Sequence, residues 1–147
     1  CPGRGVPAGE LVLNPGTALT NQKTLLVAVS RSGTTSETLR AVENFKARKQ
    51  GDVVVISNYD EALSRLADMN FVISRGQEES VAQTRSFASM YVAACVLCAR
   101  MAGRNDLVEA MVRLPDAGNR LIGHYEPLAS EMESGMSSWV TIAFADA

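Results

Sequence analysis

The chain has 147 residues, with 14 Lys+Arg against 16 Asp+Glu and a formal net charge of -2. That size and balance fit one domain, and they argue against a nucleic-acid partner, which calls for a basic surplus. With 46% hydrophobic and 20% charged residues, the chain carries enough apolar surface to bury a core rather than stay open. The uncharged stretch Ser86–Ala99 is shorter than the roughly 20 residues that cross a bilayer, so no membrane partner is expected.

The opening Pro2-Gly3-Arg4-Gly5-Val6-Pro7-Ala8-Gly9 reads as a loop. Glu10–Leu13 is then a short extended candidate, closed by Asn14-Pro15-Gly16, because proline disfavours helix in the residue before it and glycine permits the turn. Thr24–Val29 is a continuous apolar run, the pattern of a strand covered on both faces. It leads through Ser30-Arg31-Ser32-Gly33-Thr34-Thr35 into a helix, with Ser36 as the expected N-cap and Leu39, Val42 and Phe45 at helical spacing as far as Gln50. Asp52–Asn58 repeats the design, followed by a short helix with Leu63 and Leu66. Phe71–Ser74 is a third run.

The segment from Val81 to about Ala102 predicts a long helix, apolar nearly all round and hence buried. A helix from Asp106 is expected to stop at Leu114-Pro115. Another, about Ala117–Met132, carries Leu121, Ile122, Tyr125, Leu128 and Ala129 on one face. Strands alternating with helices imply a parallel sheet with right-handed crossovers. Trp139–Ala145 reads as a further strand. Three cysteines cannot all pair internally, and Cys95 and Cys98 lie in the apolar run as small core residues, which points to a reducing, cytoplasmic setting without a metal site.

In a parallel sheet, ligands sit beyond the carboxyl ends of the strands. Ser30–Ser36 is in that place. Its small residues allow close approach, Gly33 allows a tight turn, and the following helix turns unpaired N–H groups toward the loop. Hydroxyls on Ser30, Ser32, Thr34 and Thr35 add donors, and the absence of a Walker-type lysine suits a single phosphate monoester better than a nucleoside triphosphate. The same residues after a strand can also be simply a capped turn. A second polar loop, from Glu78-Glu79-Ser80 to Arg85, lies at the carboxyl end of another predicted strand, although Glu78 and Glu79 can equally serve a helix start.

Together, Thr24–Thr38 with Ser30-Arg-Ser-Gly-Thr-Thr35, Val53–Asn58, and Glu78-Glu-Ser-Val-Ala-Gln-Thr-Arg85-Ser-Phe resemble the sugar isomerase (SIS) domain, over about Val6–Gly103 and in family order. The resemblance implies a flavodoxin-like three-layer αβα sandwich around a parallel sheet, present as an incomplete unit. It implies phosphosugar binding through Ser30, Arg31, Ser32, Gly33 and Thr35, with Val81 and Gln83 at the sugar end. Gln83 stands where the glutamine-fructose-6-phosphate aminotransferase branch commonly has Ser, and Arg31 where it often has Gln. The stretch Gln83–Phe87 is closer to two-SIS isomerases of the tagatose-6-phosphate ketose/aldose type.

The parent protein is therefore expected to interconvert aldose and ketose phosphates, or their amino counterparts, with a hexose 6-phosphate or amino-sugar phosphate as ligand, no cofactor and a homodimeric state. The alternatives are a non-catalytic phosphosugar sensor and a truncated remnant. Residues 1–135 are expected to form a SIS unit lacking its first βα element, and 136–147 the first strand of a second repeat. The catalytic base is then expected outside the chain, with Glu78 the one weak candidate within it. Cys1 does not match the aminotransferases' N-terminal nucleophile in its following residues. His124, beside Tyr125 on a helix outside the resembling region, reads as a packing or surface residue.

Overall fold

The computed structural model describes residues 3–19 and 21–135, so Cys1 and the expected strand Trp139–Ala145 lie outside the described residues. After the N-terminal loop the chain forms α1 (Ala8–Leu13) and α2 (Pro15–Ala18). Both replace the extended segment and turn expected there. An apolar run as short as Glu10–Leu13 has no period that separates strand from helix. The outcome follows from packing, since α1 buries Leu11 and lies against the helix after the first strand. Pro15 opens α2 without cost, because the first helical amide has no partner within the helix.

β1 (Leu26–Ser30), α3 (Ser36–Ala47), β2 (Val53–Ser57), α4 (Ala62–Leu66) and β3 (Met69–Val72) follow. The strands pair in parallel in the order β1-β2-β3, with Ala28 opposite Val55 and Ile56 opposite Phe71. Each crossover steps the same way along the sheet, and α3 and α4 pack on one face and on each other. The core lies there: Ala28, Val53 and Val55 meet Val42, Phe45 and Leu63, all buried. Side chains alternate along a strand, so Val54 and Ile56 point to the opposite face. Both are also buried, which makes β2 the central strand covered on both sides. All four residues of β3 are exposed, as suits an edge.

A 3-10 turn at Ser74–Gly76 and an irregular stretch lead to α5 (Arg85–Met101). The helix starts four residues later than its apolar pattern suggests, which leaves Val81 and Gln83 in a loop. It is also less buried than expected. Ser86, Met90 and Ala99 are buried, while Phe87 and Tyr91 are 62% and 63% exposed and stack one turn apart with ring centroids 6.3 Å apart. Apolar composition all round shows that a helix can be covered, and the packing decides how much of it is. Cys98 is likewise exposed and Cys95 half-buried, both as free thiols, rather than core residues.

The chain divides into two compact units, Cys1–Cys98 and Ala99–Ala147. The second contains α6 (Asn105–Met111) and α7 (Leu114–Gly135). Leu114-Pro115 opens α7 instead of stopping the chain's helical course, because proline is tolerated in a first turn. Leu121, Ile122, Tyr125 and Leu128 are all at least half exposed. Among the described residues, no helix is long and apolar enough to cross a membrane.

Candidate functional site

β1 ends at the buried Ser30, and the following turn is built around that side chain. The Gly33 N–H donates to Ser30 Oγ at 3.3 Å, and the Thr35 hydroxyl lies 3.4 Å from the same oxygen. Gly33 has φ +67°, a left-handed conformation that side-chain-bearing residues adopt only with strain. One residue earlier, Ser32 Oγ accepts from the Thr34 N–H at 3.2 Å and from the Thr34 hydroxyl at 3.0 Å. The turn is also sewn to the β2–α4 segment: the Asn58 N–H donates to the Arg31 carbonyl and the Leu63 N–H to the Gly33 carbonyl. These bonds hold the loop's main chain in one shape before any ligand arrives.

Thr35, not Ser36, occupies the N-cap position of α3, and its side chain makes no capping bond. The first bond of the α3 ladder runs from the Leu39 N–H to the Thr35 carbonyl, so the amides of residues 36–38 precede it. Ser36 instead donates to Glu37 Oε2 at 2.9 Å. The Glu37 amide, followed by this hydroxyl, holds the Glu37 carboxyl below its usual range. The exposed hydroxyls of Thr34 and Thr35 and the half-buried Ser32 thus stand at the positive end of a 12-residue helix.

The second turn is organised by Glu78. Its carboxylate accepts from the N–H groups of Thr84 at 2.9 Å, Arg85 at 3.1 Å and Ser86 at 2.9 Å. The Thr84 and Ser86 hydroxyls also donate to it. These donors, the Ser86 hydroxyl first and the Ser86 amide second, hold the Glu78 carboxyl down to about 2. The Glu78 carbonyl in turn accepts from the Arg31 guanidinium at 2.9 Å and the Tyr59 hydroxyl at 3.2 Å.

Gln77 adds to the same knot. Its Nε2 donates to the Asn58 carbonyl at 2.8 Å, and its carbonyl accepts from the Arg85 guanidinium at 2.6 Å. The fully buried Asn58 donates through Nδ2 to the Ile73 carbonyl and to Ser89 Oγ of α5.

The structure therefore gathers Ser30, Arg31, Ser32, Gly33 and Thr35 into one turn. Through the Arg31–Glu78 bond it brings that turn to the loop that carries Val81 and Gln83. Val81 is 95% exposed at the far part of this loop, and Gln83 is exposed beside it. Asn58, Tyr59 and Gln77 join the two turns although sequence reasoning did not single them out. The one signal available was the polar Asn58-Tyr59 pair at the carboxyl end of β2. His124 is exposed in the second unit, its ring edge-on to Tyr125 with centroids 4.8 Å apart. Among the described residues, no group of His, Cys, Asp or Glu is placed to hold a metal ion.

Residues 4–100 match the SIS domain family. Over 142 residues the chain is 32% identical to the glutamine–fructose-6-phosphate aminotransferase (isomerizing) of Aeropyrum pernix, a match that covers 90% of this chain and 22% of that enzyme. It is 43% identical over 79 residues to the enzyme of the same name from Corynebacterium glutamicum, covering 52% of this chain and 12% of the other. This chain thus spans about a fifth or less of these relatives' length. A crystal structure of a protein from Clostridium difficile 630, assigned as a phosphosugar isomerase, superposes with a TM-score of 0.64 at 20% identity, over 79% of this chain and 35% of that one. At that identity the likeness bears on the fold.

Proposed function

Because the chain belongs to the SIS domain family, we propose that it holds the phosphate of a sugar phosphate in the Ser30–Thr35 turn and the sugar against the 79–83 loop. The observation that carries this reading is the start of α3. A left-handed Gly33, three serine and threonine hydroxyls and a helix end whose N-cap Thr35 makes no side-chain capping bond stand together on a turn that is already fixed by its own hydrogen bonds. That arrangement suits a dianion with no lysine beside it. In the proposed complex Ser30, Ser32 and Thr35 supply hydroxyls, Gly33 holds the left-handed turn, and Arg31 braces it against the Glu78 carbonyl. Val81 and Gln83 meet the sugar. The ligand class is a hexose 6-phosphate or an amino-sugar phosphate.

Anchoring the phosphate far from the reacting carbons lets remote binding energy orient the C1–C2 bond, which is what an aldose/ketose or amino-sugar-phosphate isomerase needs. Hydrogen bonds to a charged group contribute roughly 1.5–3 kcal/mol each, so a few of them reach affinities of about a micromolar to a millimolar. Titration calorimetry with fructose 6-phosphate and glucosamine 6-phosphate, against the unphosphorylated sugars, is the test. Heat from the phosphorylated ligands alone is the expected result, with Ser32→Ala weakening them about tenfold. No heat from any sugar phosphate overturns the reading.

A non-catalytic sensing module uses the same handle, and the Glu78 carboxylate, already occupied by main-chain donors, favours that second reading. Turnover of fructose 6-phosphate separates the two. The proposed homodimer draws support from the exposed Phe87 and Tyr91 on α5 and is checked by sedimentation, and the free thiols of Cys95 and Cys98 suit a reducing compartment.

A further inference from the structure

We propose that Glu78 is a positioning residue that pins the sugar-facing loop to the start of α5 and to the phosphate turn. This rests on the binding reading above and deepens it. Residues 79–83 form an exposed excursion whose two ends meet at Glu78 and Thr84, where the Glu78 carboxylate takes both the amide and the hydroxyl of Thr84. The amides of Arg85 and Ser86 and the Ser86 hydroxyl complete its coordination, so a helix start that would otherwise attract an outside anion is filled from within the chain.

The same residue reaches the other way through its main chain. Its carbonyl accepts from Arg31, which lies in the phosphate turn 47 residues earlier, and from Tyr59 at the end of β2. Side chain and carbonyl together fix where Val81 and Gln83 stand relative to Ser32 and Thr35.

The arrangement is unsuited to a general base, which needs a lone pair directed at the substrate and a proton affinity matched to the working pH. Here five donors already converge on the carboxylate. What it offers is preorganisation. A loop already closed in its binding shape loses less conformational freedom when the sugar arrives. The phosphate turn keeps its own main-chain bonds to Asn58 and Leu63, none of which involves the Glu78 carboxylate. A split between the two halves of the ligand follows.

The test uses the full 147-residue chain and its Glu78→Gln variant, titrated calorimetrically with inorganic phosphate and with fructose 6-phosphate, alongside amide exchange at Thr84, Arg85 and Ser86. The expected result is slow exchange at these amides in the parent and clearly faster exchange in the variant. Fructose 6-phosphate is expected to bind about tenfold more weakly to the variant, and inorganic phosphate within about twofold of the parent. Unchanged fructose 6-phosphate affinity, or an equal loss for both probes in a folded variant, overturns the positioning role.

If Glu78→Gln does not fold, Tyr59→Phe removes one tether to the Glu78 carbonyl. It is expected to weaken fructose 6-phosphate about threefold while sparing phosphate, and no such split overturns the proposal. A parent chain that binds neither probe overturns the binding reading and the positioning role with it. Fast exchange at the three amides in the parent overturns the clamp alone.

Discussion

At the end of β1 the chain enters α3 through Ser30–Thr35, where the N-cap Thr35 makes no side-chain capping bond and the first-turn Glu37 carboxylate is held by its own amide and by Ser36. Beyond β3 it enters α5 through Gln77–Thr84, and there Glu78 takes the amides of Thr84, Arg85 and Ser86. Both turns lie at the carboxyl rim of one parallel sheet, both are rich in hydroxyls, and both precede a helix of at least three turns. What separates them is the reach of the carboxylate: Glu37 stays on its own amide and the Ser36 hydroxyl, while Glu78 comes from outside its helix and takes three amides. A helix start with amides left over is a place for an external anion, while a start with a glutamate folded across it from outside becomes a fixed point for the loop in between. Proximity of a Ser/Thr-rich turn to a helix therefore does not by itself identify a phosphate site.

The largest expected disturbance to this contrast comes from Gly76→Ala. A Cβ there would run into Asn58 Nδ2 and Ser89 Oγ, inside the knot that holds the second turn. Overpacking of this kind costs about 2 kcal/mol, read as a lower denaturant midpoint, with faster exchange at Thr84–Ser86 and unchanged inorganic phosphate affinity below the transition. Equal weakening of phosphate would mean that the two turns are not independent.

Gly33→Ala is the smaller, mirror-image change. At φ +67° an alanine costs about 1–2 kcal/mol. Because the space around it is ordinary contact distance, with Glu61 Cβ and the Tyr59 carbonyl oxygen each 3.4 Å away, the penalty is one of backbone conformation rather than of collision. Phosphate affinity should fall while the α5 amides keep their protection, a result checked by calorimetry and exchange on one sample.

The smallest effect over the working range is that of pH. The Glu78 carboxyl moves from an ordinary 4.5 to about 2 in the fold, so its contribution to stability is fully present above pH 4.5 and is lost as pH falls through about 2. Between pH 7 and 5 the exchange at Thr84–Ser86 should show no loosening from this source. Below 4.5 it should loosen progressively, and Glu78→Gln should abolish that acid dependence. Glu37, held low by its own amide and Ser36, weakens the start of α3 in the same direction, so residue-resolved exchange is the measurement that keeps the two turns apart.

Much of this was legible in the residues. The apolar runs of β1 and β2, the helical spacing of Leu39, Val42 and Phe45, and the turn at Gly33 are local patterns, and each formed the element that it predicts. Glu10–Leu13 is helical rather than extended because its fate depends on α3 lying beside it, and α5 begins four residues after its apolar pattern does because Glu78, not the apolar periodicity, sets where the ladder starts. Exposed Phe87, Tyr91 and Leu121 show the same limit: composition measures how apolar a helix is, and neighbours determine what it buries.

By itself the sequence determined the alternation of strands and helices, the polar turn after β1 and the residue types that suit a phosphate, because these depend on propensity and spacing within a few residues. Only the tertiary structure decided what Glu78 does. Its partners are reached from Arg31, Tyr59 and Ser86, across separations of 47, 19 and 8 residues. No local pattern encodes bonds of that reach, since they exist only after parallel pairing has brought the carboxyl ends of the strands to one rim.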